Sequence, residues 1–126
     1  MISLTVQGEF PGLNEIIKES KCHFSKYAKN KRYYTDIVML TCLGARHKAI
    51  KQKVNIELTW YTKNAKKDPD NVAAGIKYIL DGLTLSGTLE NDSRKYIGSI
   101  THHFCVDKNN PRVEIKLIEC VEQNKA

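Results

Sequence analysis

Between Lys53 and Thr62 the chain alternates, with Val54, Ile56, Leu58 and Trp60 on one face and polar residues on the other, which predicts a half-buried β-strand. Ile2 to Gln7 predicts an opening strand: Ile2, Leu4 and Val6 share a face, and Gly8 with Pro11-Gly12 closes it. Tyr96 to Val106 and Arg112 to Cys120 predict two more strands, joined by the turn-rich Asp107-Lys108-Asn109-Asn110-Pro111. Helical spacing is found in three places. Asn14 can cap a short helix over Glu15-Ile16-Ile17-Lys18, and a second pattern runs from about Asp36 through Ile37, Leu40 and Leu43-Gly44. A third helix spans roughly Asn71 to Leu83 with Asp70 as its N-cap. The stretch between the first two helices has no clear period, and residues 123–126 read as a frayed tail. Strand, helices, strand, helix, strand, strand is the order of an α/β domain of the α+β two-layer kind, a small mixed sheet with helices packed on it.

Composition narrows this picture. With 126 residues, 41% of them hydrophobic and 27% charged, the chain is expected to form a single globular domain over 1–126. No apolar run approaches the ~20 residues of a membrane-spanning helix, and no cationic stretch precedes the opening strand as in a secretion signal. The expectation is a cytoplasmic protein without a membrane partner. Cys22, Cys42, Cys105 and Cys120 form no CxxC pair, so they are expected to be reduced and mostly buried. Cys22-His23 and His102-His103 do not make a zinc site, because adjacent strand residues point to opposite faces and no second pair has ligand spacing.

Charge is unevenly distributed. Met1 to Lys67 carries 13 Lys/Arg against 5 Asp/Glu, whereas Asp68 to Ala126 carries 7 against 9. Lysines for phosphates and carboxylates for a cation are what a metal-dependent nuclease needs; a solvated lysine-rich surface gives the same balance. The densest chemistry lies in Lys66-Lys67-Asp68-Pro69-Asp70-Asn71 and, beyond the third helix, in Glu90-Asn91-Asp92. Asp68 and Asp70 flank a backbone-restricting proline at a helix start, and Mg²⁺ accepts such hard oxygen ligands while keeping several waters. At 100° per residue from Asp70, Lys77 falls near 340° and Asp81 near 20°. Ala73, Ile76, Leu80 and Leu83 form a separate apolar stripe. One helix can therefore pack on the sheet while presenting Asp70, Lys77 and Asp81 along a groove, although Lys77 and Asp81 are also spaced to pair with each other.

The run Asp68-Pro69-Asp70-Asn71, then Lys77-Tyr78-Ile79-Leu80-Asp81-Gly82-Leu83, then Gly87 and Glu90-Asn91-Asp92-Ser93, resembles the signature of RusA-like Holliday junction resolvases, the crossover junction endodeoxyribonucleases. The likeness covers Lys66 to Ser93. It implies that Asp68, Asp70 and Asp92 take the family's magnesium-binding carboxylate positions, with Mn²⁺ as a substitute, and that Lys77 is the candidate catalytic lysine. Two departures stand out: Asn91 occupies a place where some members have a second Asp, and Lys77 lies further from the Asp-Asn pair than in some members. The implied reaction is Mg²⁺-dependent phosphodiester hydrolysis in DNA recombination and repair. The ion activates the nucleophile, shields the phosphoryl oxygens and assists the leaving oxygen, while Lys77 stabilises developing charge and Asn71 and Asp81 orient ligands or Lys77. A two-fold symmetric four-way junction, cut twice, implies a homodimer.

Lys18 to Tyr34 interleaves cations with Phe24, Tyr27, Tyr33 and Tyr34, a composition suited to phosphates and unstacked bases. The candidate DNA contacts are Lys26, Lys29, Lys31, Arg32, Lys66 and Lys67. The same segment also reads as a charged helix with a tyrosine stripe against the core. Two further readings stay open: a non-catalytic basic DNA-binding module whose acids serve as caps, and a Mg²⁺ nuclease acting on other branched nucleic acids.

Overall fold

The chain opens with strand β1 (Ile2–Gln7), which stops at Gly8, where φ of +99° suits a residue without a Cβ. The computed structural model describes residues 1–120, so the tail expected at 123–126 lies outside the described residues. Helices α1 (Leu13–Cys22) and α2 (Phe24–Ala45) come next, then β2 (Val54–Thr62), the short α3 (Pro69–Ala73) and α4 (Ile76–Leu85), and finally β3 (Ile97–Val106) and β4 (Arg112–Glu119). The fold is α+β, a four-stranded mixed sheet in the order β1-β4-β2-β3 with three helices packed on it.

Strand β4 pairs antiparallel with both β1 and β2, whereas β2 pairs parallel with β3. A parallel pair needs a crossover, and α3 and α4 supply it. The alternating residues read from the sequence form the core: Val54, Ile56, Leu58, Val113, Ile115 and Leu117 are buried under Val38 of α2 and Ile79 and Leu83 of α4. Burying each such side chain contributes about 1.5–3 kcal/mol relative to leaving it exposed. Helices α2 and α4 meet at Gly82, where a Cβ would lie 2.5 Å from Val38. The glycine of the Asp-Gly-Leu run thus has a packing reason.

Three element boundaries differ from expectation. Helix α2 begins at Phe24, well before Asp36; its buried residues, Thr35, Val38 and Cys42, all lie in its second half, so its first half carries no apolar period that would reveal it. Asn14 lies inside α1 and caps nothing, since α1 starts at Leu13 after Gly12. The single helix expected over Asn71 to Leu83 is two, with a turn at Ala74-Gly75, and its N-cap is Asp68, leaving Asp70 in the first turn. At that turn Gly75 lies against Trp60, where a Cβ would come within 2.9 Å of the indole. The expectation of mostly buried cysteines also fails: all four are free thiols, but only Cys42 is buried, and Cys22 and Cys105 are exposed.

Strand β3 is an edge strand in which Ile97 alone is buried. Ile100, His102, Phe104 and Val106 are in register with Ile56, Leu58, Trp60 and Thr62, so they continue the core-facing side of the sheet. Phe104 is nevertheless 44% exposed and Val106 55%, leaving an apolar strip uncovered beside an open backbone edge.

Candidate active site

Parallel β2 delivers the chain to the loop before α3. Asn64 shapes that loop by accepting the Lys66 N–H on its side chain at 3.0 Å. Lys67 anchors it to α1 through a 2.8 Å ion pair with Glu15. Asp68 then takes the extended N-cap conformation, Pro69 fills the first helical turn, where its missing N–H costs nothing, and Asp70 follows. Asp68 and Asp70 are exposed, and neither side chain makes a hydrogen bond or ion pair among the described residues. Two uncommitted carboxylates flanking a rigid proline suit a hard cation, because Mg²⁺ is commonly held by one or two carboxylates together with substrate phosphates.

Asn71, expected to orient ligands or Lys77, makes its side-chain hydrogen bond among the described residues to the start of α1. Its Oδ1 accepts the Asn14 N–H at 3.1 Å, satisfying one of the unpaired donors at the start of α1, where Gly12 provides no side-chain cap. The fit is close, since a Cβ on Gly12 would fall 2.4 Å from that oxygen. Asn71 therefore fixes the acidic loop against α1.

Helix α4, ten residues long and so about 15 Å from end to end at ~1.5 Å per residue, stands between this loop and the one that carries Asp92. After Gly87, at φ +77°, buried Thr88 and Leu89 pin the next loop; Ser86 and Thr88 hydroxyls lie 2.8 Å apart and Leu89 bridges to Ile50. Asn91 Oδ1 accepts the Ser93 N–H at 2.8 Å, closing a turn that carries Asp92 at its tip. Asn91, read as a lost carboxylate, is thus a turn builder. Asp92 is exposed, and its side chain has no hydrogen bond or ion pair among the described residues. Asp81 and Asp92 line the same groove, between α2 and α4. Asp81 is paired with Lys77, Nζ to Oδ1 at 3.2 Å. Asp68, Asp70 and Asp92 do not converge within one chain: among the described residues no three His, Cys, Asp or Glu side chains are gathered to hold one metal ion.

The α2–α4 groove, about 740 Å³, is lined on its α2 side by Phe24, Tyr27, Lys31, Arg32 and Asp36. Phe24 is 74% exposed, so its ring is open to stacking. Arg32 pairs loosely with Asp36 at 3.9 Å, and Lys31 lines the groove without an ion pair among the described residues. Of the other expected DNA contacts, Lys29 and Lys66 are exposed, Lys26 pairs with Glu19 at 3.9 Å, and Lys67 is committed to Glu15. Tyr34 belongs to the core edge: its ring packs on Phe10 at 5.4 Å and on Tyr78 at 5.6 Å.

No protein-family model matches this chain, and no curated protein matches it. The site therefore stands on its own residues and geometry.

The alternative reading of Lys18 to Tyr34, a tyrosine stripe against the core, describes Tyr34, but its partners Phe10 and Tyr78 were not legible in the sequence. Burial pushes the Tyr78 hydroxyl up to about 12, with Tyr27, Glu19 and Tyr34 adding to it, and burial likewise raises Tyr34. Both remain neutral donors in the physiological range. Tyr78 lies inside the motif, yet nothing in its spacing reveals that Glu19, far upstream, faces it.

Proposed function

We propose that this protein is a Mg²⁺-dependent, structure-selective DNA endonuclease of the RusA-like kind that resolves four-way junctions. The observation that carries the reading is the state and position of its acids. Asp68, Asp70 and Asp92 lack protein partners among the described residues, as do Glu57, Glu90 and Glu119; what sets the first three apart is position, since Asp68 and Asp70 flank Pro69 at the start of α3 and Asp92 stands at the tip of a turn closed by Asn91. Carboxylates left unpaired on two loops that the fold holds firmly are available to a cation.

When bound, Mg²⁺ supplies charge neutralisation at the phosphodiester and lowers the cost of activating water. Asp68 and Asp70 would hold it at the start of α3, together with phosphate oxygens. Lys77, 61% exposed and on the face of α4 shared with Asp81, is within a side-chain rotation of solvent and of a passing phosphate. Asp81 holds that ammonium in place until substrate competes for it.

The separation of Asp70 from Asp92 is reconciled by the homodimer. The open edge of β3 carries no charged residue from Ile97 to Val106, a poorly guarded strand that favours pairing with another. Antiparallel pairing with β3 of a second copy brings the Phe104–Val106 end of one chain beside the Ile97–Ile100 end of the other. Pro69 lines a groove at the first end and Asp92 lines one at the second. Each site would then draw Asp68 and Asp70 from one protomer and Asp92 from its partner, two sites related by the two-fold axis that the junction shares.

The test is to incubate the protein and Mg²⁺ with an end-labelled four-way junction, a flap and a linear duplex of matched sequence. Paired nicks near the crossover, with the linear duplex uncut, are expected. Equal cutting of flap and junction would indicate a nuclease of broader substrate range. Tight binding without metal-dependent cutting would indicate a binding module.

A further inference from the structure

At the end of the sheet where β2 and β3 begin lies a cleft of about 780 Å³ lined by Lys51, Gln52, Lys53, Lys95, Tyr96, Glu119 and Cys120. Three lysines from two distant segments converge there against a single acid. Their gathering is fixed by backbone bonds: the Val54 N–H donates to the Tyr96 carbonyl at 2.9 Å, and the Cys120 N–H donates to the Lys53 carbonyl at 2.8 Å. None of the three lysines has an ion-pair partner among the described residues. Three ammonium groups held around one cavity repel one another, and an anion that touches all three relieves the repulsion.

We propose that this cleft seats the sugar-phosphate backbone of a paired DNA arm. The inference rests on the nuclease reading and deepens it by giving the duplex a position. Two observations favour a paired arm over unpaired strand. The aromatic ring here, Tyr96, is half-buried and has the Lys95 ammonium over one face, 5.5 Å from its centroid, which competes with a base for that face. The α2–α4 groove, by contrast, has the open Phe24 ring. Position relative to the carboxylates is the third argument: Arg94, next to Lys95, lines a groove with Asp92. A backbone lying across Lys51, Lys53 and Lys95 therefore leads past Arg94 to Asp92. Contacts made only by lysines to phosphates carry no sequence preference.

The test measures binding of a fluorescent linear duplex and of a four-way junction in EDTA, over a series of KCl concentrations. It compares the wild type with a combined Lys51→Gln, Lys53→Gln, Lys95→Gln variant and with Lys108→Gln at the opposite end of the sheet. Exposed Lys to Gln changes leave the fold intact, which matching thermal unfolding curves verify. The expected result is a slope of log affinity against log salt that is shallower by roughly 2 to 3 in the triple variant, about 0.9 for each phosphate no longer neutralised. The loss should be the same for both DNAs, and Lys108→Gln should behave as wild type. A triple variant with the wild-type slope overturns the proposal while leaving the nuclease reading intact. A wild type that binds neither DNA at any salt overturns both.

Discussion

The Trp60 indole donates a 2.9 Å hydrogen bond from Nε1 to Nδ1 of His102, and the two rings lie edge to edge, 12° from parallel with centroids 6.0 Å apart. An indole N–H can only donate, so Nδ1 of His102 must be unprotonated. The Phe104 ring lies parallel to that of His102 along the same side of β3, with centroids 6.2 Å apart. The central residue of the β3 strip is thereby tied to the core.

This bond makes stability depend on pH. Burial lowers the His102 pKa below its ordinary 6.5. The unfolded chain therefore binds this proton more readily than the folded one, and the contribution is complete above about 6.5 and is lost as pH falls through 6.5 toward the folded value. Urea unfolding from pH 7.5 to pH 5 should show wild-type stability falling in that window. His102→Phe, which keeps an aromatic ring but cannot titrate, should fall less. Parallel curves for the two proteins would contradict this role.

Asn71→Ala should destabilise the fold by about 1 kcal/mol, the usual cost of losing a helix-start acceptor. Asn71→Asp, which keeps the acceptor at Asn14, should retain most of it. If thermal unfolding is unchanged by Asn71→Ala while cleavage falls, Asn71 acts on the metal ligands and not on α1.

Gly82→Ala drives a methyl group into Val38 at the tightest approach of α2 and α4. A loss of roughly 1–3 kcal/mol is expected, typical of overpacking a core, and Val38→Ala in the same chain should recover part of it. Circular dichroism melts of the single and double variants measure both.

Lys77→Gln removes an exposed i,i+4 pair worth about 0.3–0.5 kcal/mol, so the melting curve should barely move. Single-turnover junction cleavage should fall at least tenfold if the ammonium stabilises charge on the phosphate. An unchanged rate would return Lys77 to a surface partner of Asp81.

The division of the site between two chains has its own signature. Asp70→Asn and Asp92→Asn homodimers should each be inactive, but mixing them with subunit exchange should restore one intact site per heterodimer and therefore nicking. A mixture as inactive as its parents would mean that each site is built within one chain.

β1, β2 and β4 were legible because alternation survives where one side of the sheet is covered: Val54, Ile56, Leu58 and Trp60 point under the helices as their period demands, whereas uncovered β3 was marked by the turn-rich Asp107 to Pro111 that ends it. The first half of α2 was not legible, because it carries no buried residue and its helix is sustained by links such as Glu19 to Asn30 and Lys26. The acids were legible as residue types but not in their arrangement. Spacing along one helix indicates shared faces, yet it is blind to the length of α4 standing between Asp70 and Asp92. The roles of Asn71 and Asn91 depend on partners that only the folded chain defines, at Asn14 and Ser93. Lys51, Lys53 and Lys95 come together solely through the pairing of β2 with β3 and β4.

The most direct test of the carboxylate site is cleavage of a labelled four-way junction by wild type with Mg²⁺, beside Asp70→Asn and an EDTA control. Paired nicks that disappear with EDTA and fall at least about a hundredfold in Asp70→Asn are predicted, as several kcal/mol of charge stabilisation is removed. Cutting that persists in Asp70→Asn, or a wild type that binds the junction and never cuts it, would contradict the account.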